Sequence, residues 1–183
     1  MNIFYLDEDP RQCAEWMVDK HVVKMIVETA QLLSTAHRVM DGLELKVLLR
    51  NPATGKTRNK KVWVLDDYRN DIFYAATHIN HPSAIWARES VSNYNWLVDH
   101  LFALADEYRF RYSKNHATIT KLGYEIQSPP HALKEWDWTP MPSCMDDQYI
   151  ISDDPIKNYR NYYRYGKSSM HAWKKRQPPQ WIL

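Results

Sequence analysis

The sequence has few cysteines, few glycines and no long apolar run. Its two cysteines, Cys13 and Cys144, lie near opposite ends of the chain and form neither a disulfide framework nor a CxxC pair. No apolar segment approaches the ~20 residues of a membrane helix. The start, MNIFYLDEDP, lacks the basic and apolar segments of a secretion signal. We therefore expect a protein of a reducing cytoplasm with no membrane association.

Motifs for several common chemistries are also missing. The chain has no G-x-G-x-x-G, no P-loop and no GxSxG turn, which argues against the corresponding nucleotide folds and against serine catalysis. His78 and His81 straddle a helix start without a nearby cysteine or an HExxH motif. We therefore expect neither a cofactor nor a metal.

Composition indicates one globular domain spanning residues 1–183. The chain is 44% hydrophobic and 25% charged, with a net charge of only +2. That small net charge says little about partners, but the charged residues are distributed unevenly along the chain. Seven Lys and Arg, and no Asp or Glu, lie between Ile156 and Arg176. This imbalance predicts one strongly basic surface.

A predicted amphipathic helix from Asp19 to Met40 is the centre of the fold. Its apolar face repeats at helical spacing and comprises Val22, Val23, Ile26, Ala30, Leu33 and Met40. Its polar face comprises Lys20, His21, Lys24, Glu28, Gln31 and Thr35. An imidazole, two amines, a carboxylate, an amide and a hydroxyl on about three turns are unusual for a merely solvated face. We expect the chemistry there, and we expect His37 to be a hydrogen-bonded core residue.

The remaining elements complete a mainly α fold. Pro10–Val18 and Asp66–Thr77 look helical, and a long helix begins at Asn80-His81-Pro82. Alternating segments around NPATGKTRN predict a β-hairpin at residues 43–65. A further helix follows Asp154-Pro155. We predict a compact helical bundle with three long helices and a β-hairpin insertion.

Three segments outside the bundle carry basic or aromatic residues. The hairpin is either a basic wing against phosphates or a ribbon whose lysines prevent edge pairing. Residues 124–150 predict a proline-rich, ordered loop, and residues 167–183 form a basic tail.

In the last helix Tyr159 and Tyr163 alternate with Arg160, and Lys167 follows. Such residues stack on bases and bind phosphates, although the tyrosines could instead belong to the core.

The segments VDKHVVKMIVETAQLL, NHPSAIWARE and NYRNYYRYGK resemble the pyrimidine-dimer DNA glycosylases of the endonuclease V type, in a phage branch. The resemblance covers nearly the whole chain except the hairpin and the proline-rich loop. It implies three helices around an N-terminus that enters the middle of the fold. It also implies an enzyme that removes a damaged pyrimidine and then nicks the backbone.

The resemblance bears directly on the catalytic residues. In that family a threonine follows the start methionine, and its freed amine attacks the sugar C1′ with the help of a glutamate. This chain has Asn2, which is bulky for methionine trimming, so we expect no imine. One alignment places the family glutamate near His21, whereas the bacterial relatives place their Asp, Lys and Glu on Asp19, Lys24 and Glu28.

We therefore predict cleavage of an N-glycosidic bond. Glu28 would stabilise the cationic sugar or activate water, His21 would protonate the leaving base, and Lys24 would assist. Predicted substrate or DNA contacts are Lys20, Gln31, Asn80, His81, Tyr159, Arg160, Tyr163 and Lys167. The alternatives are a hydrolase or transferase acting on a free nucleotide, and a non-catalytic DNA-binding protein. The oligomeric state stays open.

Overall fold

A computed structural model describes residues 1–183 and is mainly helical. The helices are α1 (Pro10–Trp16), α2 (Asp19–Asp41), α3 (Arg69–Ile72), α4 (Pro82–Trp86), α5 (Val91–Tyr112), α6 (Ala117–Leu122) and α7 (Pro155–Gly166). The strands are β1 (Leu43–Arg50) and β2 (Thr57–Val64). Only α2 and α5 are long, with 23 and 22 residues, whereas α7 has 12. The prediction of a helical fold with a hairpin is confirmed, but two long helices replace the expected three.

The core forms where α5 packs against α1 and α2. The N-terminal arm, residues 3–6, lies inside this core, and both Ile3 and Leu6 are fully buried. Four of the six residues on the predicted apolar face of α2 are buried, whereas Met40 is half-buried against the core and Val23 is 40% exposed. Instead, Met25 and Leu32 are buried, because α2 is covered on more than one side.

The long helix predicted from Pro82 is divided into α4 and α5. The hydroxyl of Ser90 accepts a hydrogen bond from Asn93 N at 3.1 Å, which starts a new helix. The Asn93 side chain donates to Trp86 O at 2.9 Å, at the end of α4. A local cap therefore outweighs the continuous apolar periodicity from which one helix was predicted.

The predicted helix at Asp66–Thr77 is also wrong, because only Arg69–Ile72 is helical. The buried guanidinium of Arg38 donates hydrogen bonds of 2.6–2.9 Å to the carbonyl oxygens of Asn70, Phe73 and Tyr74. Those bonds hold the following backbone extended, with Phe73 at ψ 147°. A tertiary contact has replaced the helical hydrogen bonds.

The expectation for His37 is confirmed, since it is a buried and hydrogen-bonded core residue. Its Nε2 lies 2.8 Å from the hydroxyl of Tyr94, and its Nδ1 lies 3.1 Å from a guanidinium nitrogen of Arg69. Burial and the positive charge of Arg69 lower the pKa of His37 to about 4. The ring is therefore neutral near pH 7.

The hairpin predicted at residues 43–65 is present and antiparallel, with Leu43 opposite Val64 and Arg50 opposite Thr57. It is attached at the end of α2 and most of its residues are exposed. None of the helices combines the length and the apolarity that a membrane crossing requires.

Candidate active site

The polar face of α2 meets the N-terminal arm at Glu28. One carboxylate oxygen of Glu28 accepts a hydrogen bond from the backbone nitrogen of Asn2 at 3.3 Å. The other oxygen lies 3.0 Å from the ammonium of Lys24, one turn earlier on the helix. The Glu28 side chain is 16% exposed, and that of Lys24 is 67% exposed. A carboxylate is thus held from two sides while still reaching solvent.

Asn2 is fixed by its own side chain. Its amide nitrogen donates to Cys144 O at 2.6 Å, and its amide oxygen accepts from Ile3 N at 2.8 Å. The hydroxyl of Tyr159 lies 2.8 Å from the same oxygen and accepts from Cys144 N at 3.2 Å. The bulk of Asn2 is therefore directed into the arm and the proline-rich loop, which leaves its backbone nitrogen facing Glu28.

A strained residue follows in the arm. Phe4 has φ 58°, a left-handed conformation that is uncommon for an aromatic residue and costs on the order of 1–3 kcal/mol. Its ring stacks on His21 with centroids 4.2 Å apart and meets the edge of Tyr163 at 5.4 Å. These ring contacts hold the turn that directs residue 2 toward α2.

His21 does not have the properties of the predicted proton donor. It is 5% exposed, and its Nδ1 lies 2.5 Å from the hydroxyl of Tyr163. Burial, with smaller contributions from Lys167 and Lys24, lowers the pKa of His21 to about 3. Burial and the lowered pKa argue against the predicted role of His21 as the proton donor to a leaving base. Its ring stacks on Phe4, so we propose that it supports the arm instead.

Two of the predicted stacking rings are also unavailable. Tyr159 and Tyr163 are 0% exposed, because they lie on the face of α7 that packs on the arm. Arg160 is largely committed to the fold, since it donates to Leu6 O at 2.9 Å and pairs with Asp7 at 3.0 Å. Lys167 is half-buried, with its ammonium 4.6 Å from the ring centre of Tyr162.

The other predicted contacts differ in their exposure to solvent. Lys20 and Asn80 are exposed, whereas Gln31 and His81 are half-buried. His81 starts α4, where its Nδ1 accepts from Ser83 N at 3.2 Å. Burial lowers the pKa of His81, helped by the N-terminal amine and opposed by Glu28.

Sequence reasoning missed the parts of the site that come from distant segments. Asn2, Cys144 and the hydroxyl of Tyr159 form one hydrogen-bonded group around the arm. The second position of the resembled family pointed to Asn2, but no signal in the sequence marked Cys144.

A separate groove of about 450 Å³ lies between α5 and α6. It offers no free charged group comparable to Glu28, because its Arg109 pairs with Asp106 and its His116 caps α6.

The fold is mainly helical, and it buries its N-terminal arm against a carboxylate on its central helix. The family model for pyrimidine dimer DNA glycosylases matches residues 1–120 of the 183. The chain therefore belongs to the pyrimidine dimer DNA glycosylase family. The matched region contains Asn2, Glu28 and His81 but ends before the proline-rich loop and α7. Comparison with curated proteins and with solved structures gave no match.

Proposed function

We propose that this protein excises a damaged or modified pyrimidine from DNA by cleaving its N-glycosidic bond, with Glu28 as the catalytic carboxylate. The observation that carries this proposal is the position of Glu28, 3.3 Å from the arm and 3.0 Å from Lys24, in a chain of this family. A carboxylate fixed by two donors is preorganised to stabilise positive charge that develops on a sugar.

The proposed reaction is a hydrolysis. The bond between C1′ and the base nitrogen breaks, and its electron pair leaves with the base. Glu28 stabilises the resulting cationic sugar and takes a proton from the attacking water, whose oxygen forms the new bond to C1′. The leaving base takes a proton from solvent, because His21 is neutral. The products are a free base and an abasic site.

Lys24 orients Glu28, and its exposed ammonium can also meet a DNA phosphate. Lys20 lies one turn earlier on the same face, where a second ammonium follows the helix surface. Gln31, Asn80 and His81 would supply polar groups to the extruded nucleotide. In this scheme Lys20, Lys24 and Lys167 hold phosphate, whereas Tyr159 and Tyr163 position the arm from within the core.

The position of Asn2 favours a second route when Met1 is removed. The backbone nitrogen of Asn2 is then an α-amine 3.3 Å from Glu28, as the family resemblance implies. That amine would attack C1′ and expel the base with its electron pair, while Glu28 takes the amine proton. The C1′–O4′ bond would then break, with a proton going to O4′, and the opened sugar would be held as an imine. The Asn2 side chain does not block this attack, since it is bonded to Cys144 and Ile3.

The substrate is tested with ultraviolet-irradiated duplex, untreated duplex, phage-modified DNA and free nucleotides, with released base identified by mass spectrometry. We expect release from the irradiated or modified duplex only. Release from free nucleotides without release from any DNA would assign the protein to nucleotide hydrolysis. Tight DNA binding with no release from any of these substrates would assign it to a non-catalytic role.

The route is tested with two protein forms, one retaining Met1 and one beginning at Asn2 after cleavage of a tag. Both are incubated with irradiated duplex and borohydride, which reduces an imine to a stable link. We expect an adduct only in the form that begins at Asn2. An adduct mapped to Met1 or to Lys24 would contradict the proposed hydrolysis.

A further inference from the structure

The β-hairpin carries a positive charge that the fold does not neutralise. Six exposed basic residues lie on it against a single acid, Glu44: Lys46, Arg50, Lys56, Arg58, Lys60 and Lys61. Only Lys61 has an ion-pair partner, Glu44 at 2.8 Å. Lys46 lies directly opposite Lys61 in the register. Like charges at opposite positions destabilise a strand pair, so this arrangement weakens an isolated ribbon that is marginal already.

Lysines often prevent strand edges from pairing, but that explanation does not account for the leucines. Leu45 and Leu48 are 46% and 67% exposed on the same ribbon, and Leu49 is 38% exposed. Exposed apolar side chains on an edge strand promote the pairing that lysines prevent. A duplex groove accommodates both kinds of residue, because cations meet phosphates while apolar side chains meet sugars and thymine methyl groups.

The base of the hairpin is fixed to the rest of the fold, so its charged strands leave the helical bundle in a defined direction. Arg38 donates to Trp63 O of β2 at 2.9 Å and to the α3 segment. At Gly42, between α2 and β1, an added Cβ would lie 2.5 Å from Arg38 O, so only glycine allows this close turn. The two strands leave this anchored turn together.

The base of the hairpin lies far from Glu28 along α2. Gly42 lies 14 residues after Glu28, which is roughly 21 Å along the helix axis at 1.5 Å per residue. Strands of eight residues extend about 26 Å further. Since base pairs are ~3.4 Å apart, this separation from Glu28 corresponds to about six or more base pairs along a duplex.

We propose that the hairpin is a second DNA-binding arm that enters a groove of the duplex flanking the excised base and holds its phosphates. A two-stranded ribbon fits the major groove. This inference rests on the proposed function for the position of the damaged base. The arm would strengthen binding to long DNA without taking part in bond cleavage.

The test compares the double variant Arg58→Thr/Lys60→Thr with the charge-matched control Lys114→Thr/Lys134→Thr. All four positions are exposed and none has an ion pair, and threonine retains β-propensity in the hairpin. Binding to an undamaged duplex of thirty base pairs is measured at several salt concentrations. Each phosphate contact contributes about −0.9 to the log–log slope, so we expect the hairpin variant to lose about 1.8 and the control to lose nothing.

A second measurement uses a duplex with about four base pairs on each side of the damaged base, which is too short for the hairpin to reach. Wild type and hairpin variant should bind it equally. Equal slope changes in the two variants, or the same defect on short and long DNA, would overturn the inference. So would a wild-type dimer that the hairpin variant converts to a monomer with an unchanged slope. Failure of the proposed function is distinguishable, because the salt slope is read on undamaged DNA.

Discussion

Replacing Tyr159 by phenylalanine removes one hydroxyl from the centre of the candidate active site. That hydroxyl lies 2.8 Å from the amide oxygen of Asn2 and accepts from Cys144 N at 3.2 Å. Without it, the partly buried Cys144 N–H has no acceptor, which costs about 1–3 kcal/mol. For a chain of this length we expect the melting temperature to fall by about 2–12 °C.

The same substitution should lower activity, because it loosens the residue that faces Glu28. We expect base release from irradiated duplex to fall by about tenfold to a hundredfold at a temperature where the variant is fully folded. The matched control is Tyr94→Phe, which removes a buried hydroxyl bonded to His37 and Ile126 O, away from Glu28. The control should lose stability but not activity. Equal activity losses in the two variants would refute the positioning role of Tyr159.

Three further predictions concern stability. His100, on α5, is buried like His21 and His37. Folding lowers the pKa of His21 to about 3 and those of His37 and His100 to about 4, so the unfolded chain binds more protons below pH ~6.5. The free energy of unfolding, measured with urea, should be highest above that pH and should fall by up to about 4 kcal/mol per pH unit as the pH decreases toward 4. A free energy of unfolding that does not change over this range would contradict the burial of these rings. Arg38→Met should destabilise the fold by on the order of 3–5 kcal/mol, since it leaves buried carbonyl groups of the α3 segment without donors. A change in the free energy of unfolding below about 1 kcal/mol, read from the denaturant midpoint, would refute the role of Arg38 in anchoring that segment. Arg160→Ala should lower stability by about 1–3 kcal/mol, whereas Lys167→Ala should mainly weaken DNA binding, and calorimetry with a salt titration separates the two effects.

Local sequence signals predicted the elements whose ends are set locally. Proline after Asp9 and after Asp154 starts α1 and α7 as expected, and the period change after Gly42 gives the hairpin. Periodicity failed in two ways. Hydrogen bonds from Arg38, about thirty residues earlier in the chain, replace most of the predicted helix at Asp66–Thr77, and no local window contains that partner. The cap at Ser90 that divides the next helix is local, but the apolar periodicity continues across it and hides it.

The candidate site was predictable only along α2. Lys24 and Glu28 are four residues apart, so helical geometry alone places them together. The burial of His21 was not predictable from its polar neighbours, because Phe4 and Tyr163, which cover it, come from opposite ends of the chain. The same holds for Tyr159, whose hydroxyl meets Asn2 only after α7 packs on the arm.

The most direct test of Glu28 is single-turnover base release by Glu28→Gln, with enzyme in excess over irradiated duplex. Glutamine keeps the shape of the side chain but removes the charge that would stabilise the cationic sugar. We predict unchanged DNA binding and a rate lower by about 10²–10⁴, whereas Glu135→Gln, an exposed control, should match wild type. A Glu28→Gln protein that releases base at the wild-type rate would contradict the assignment of Glu28 as the catalytic carboxylate.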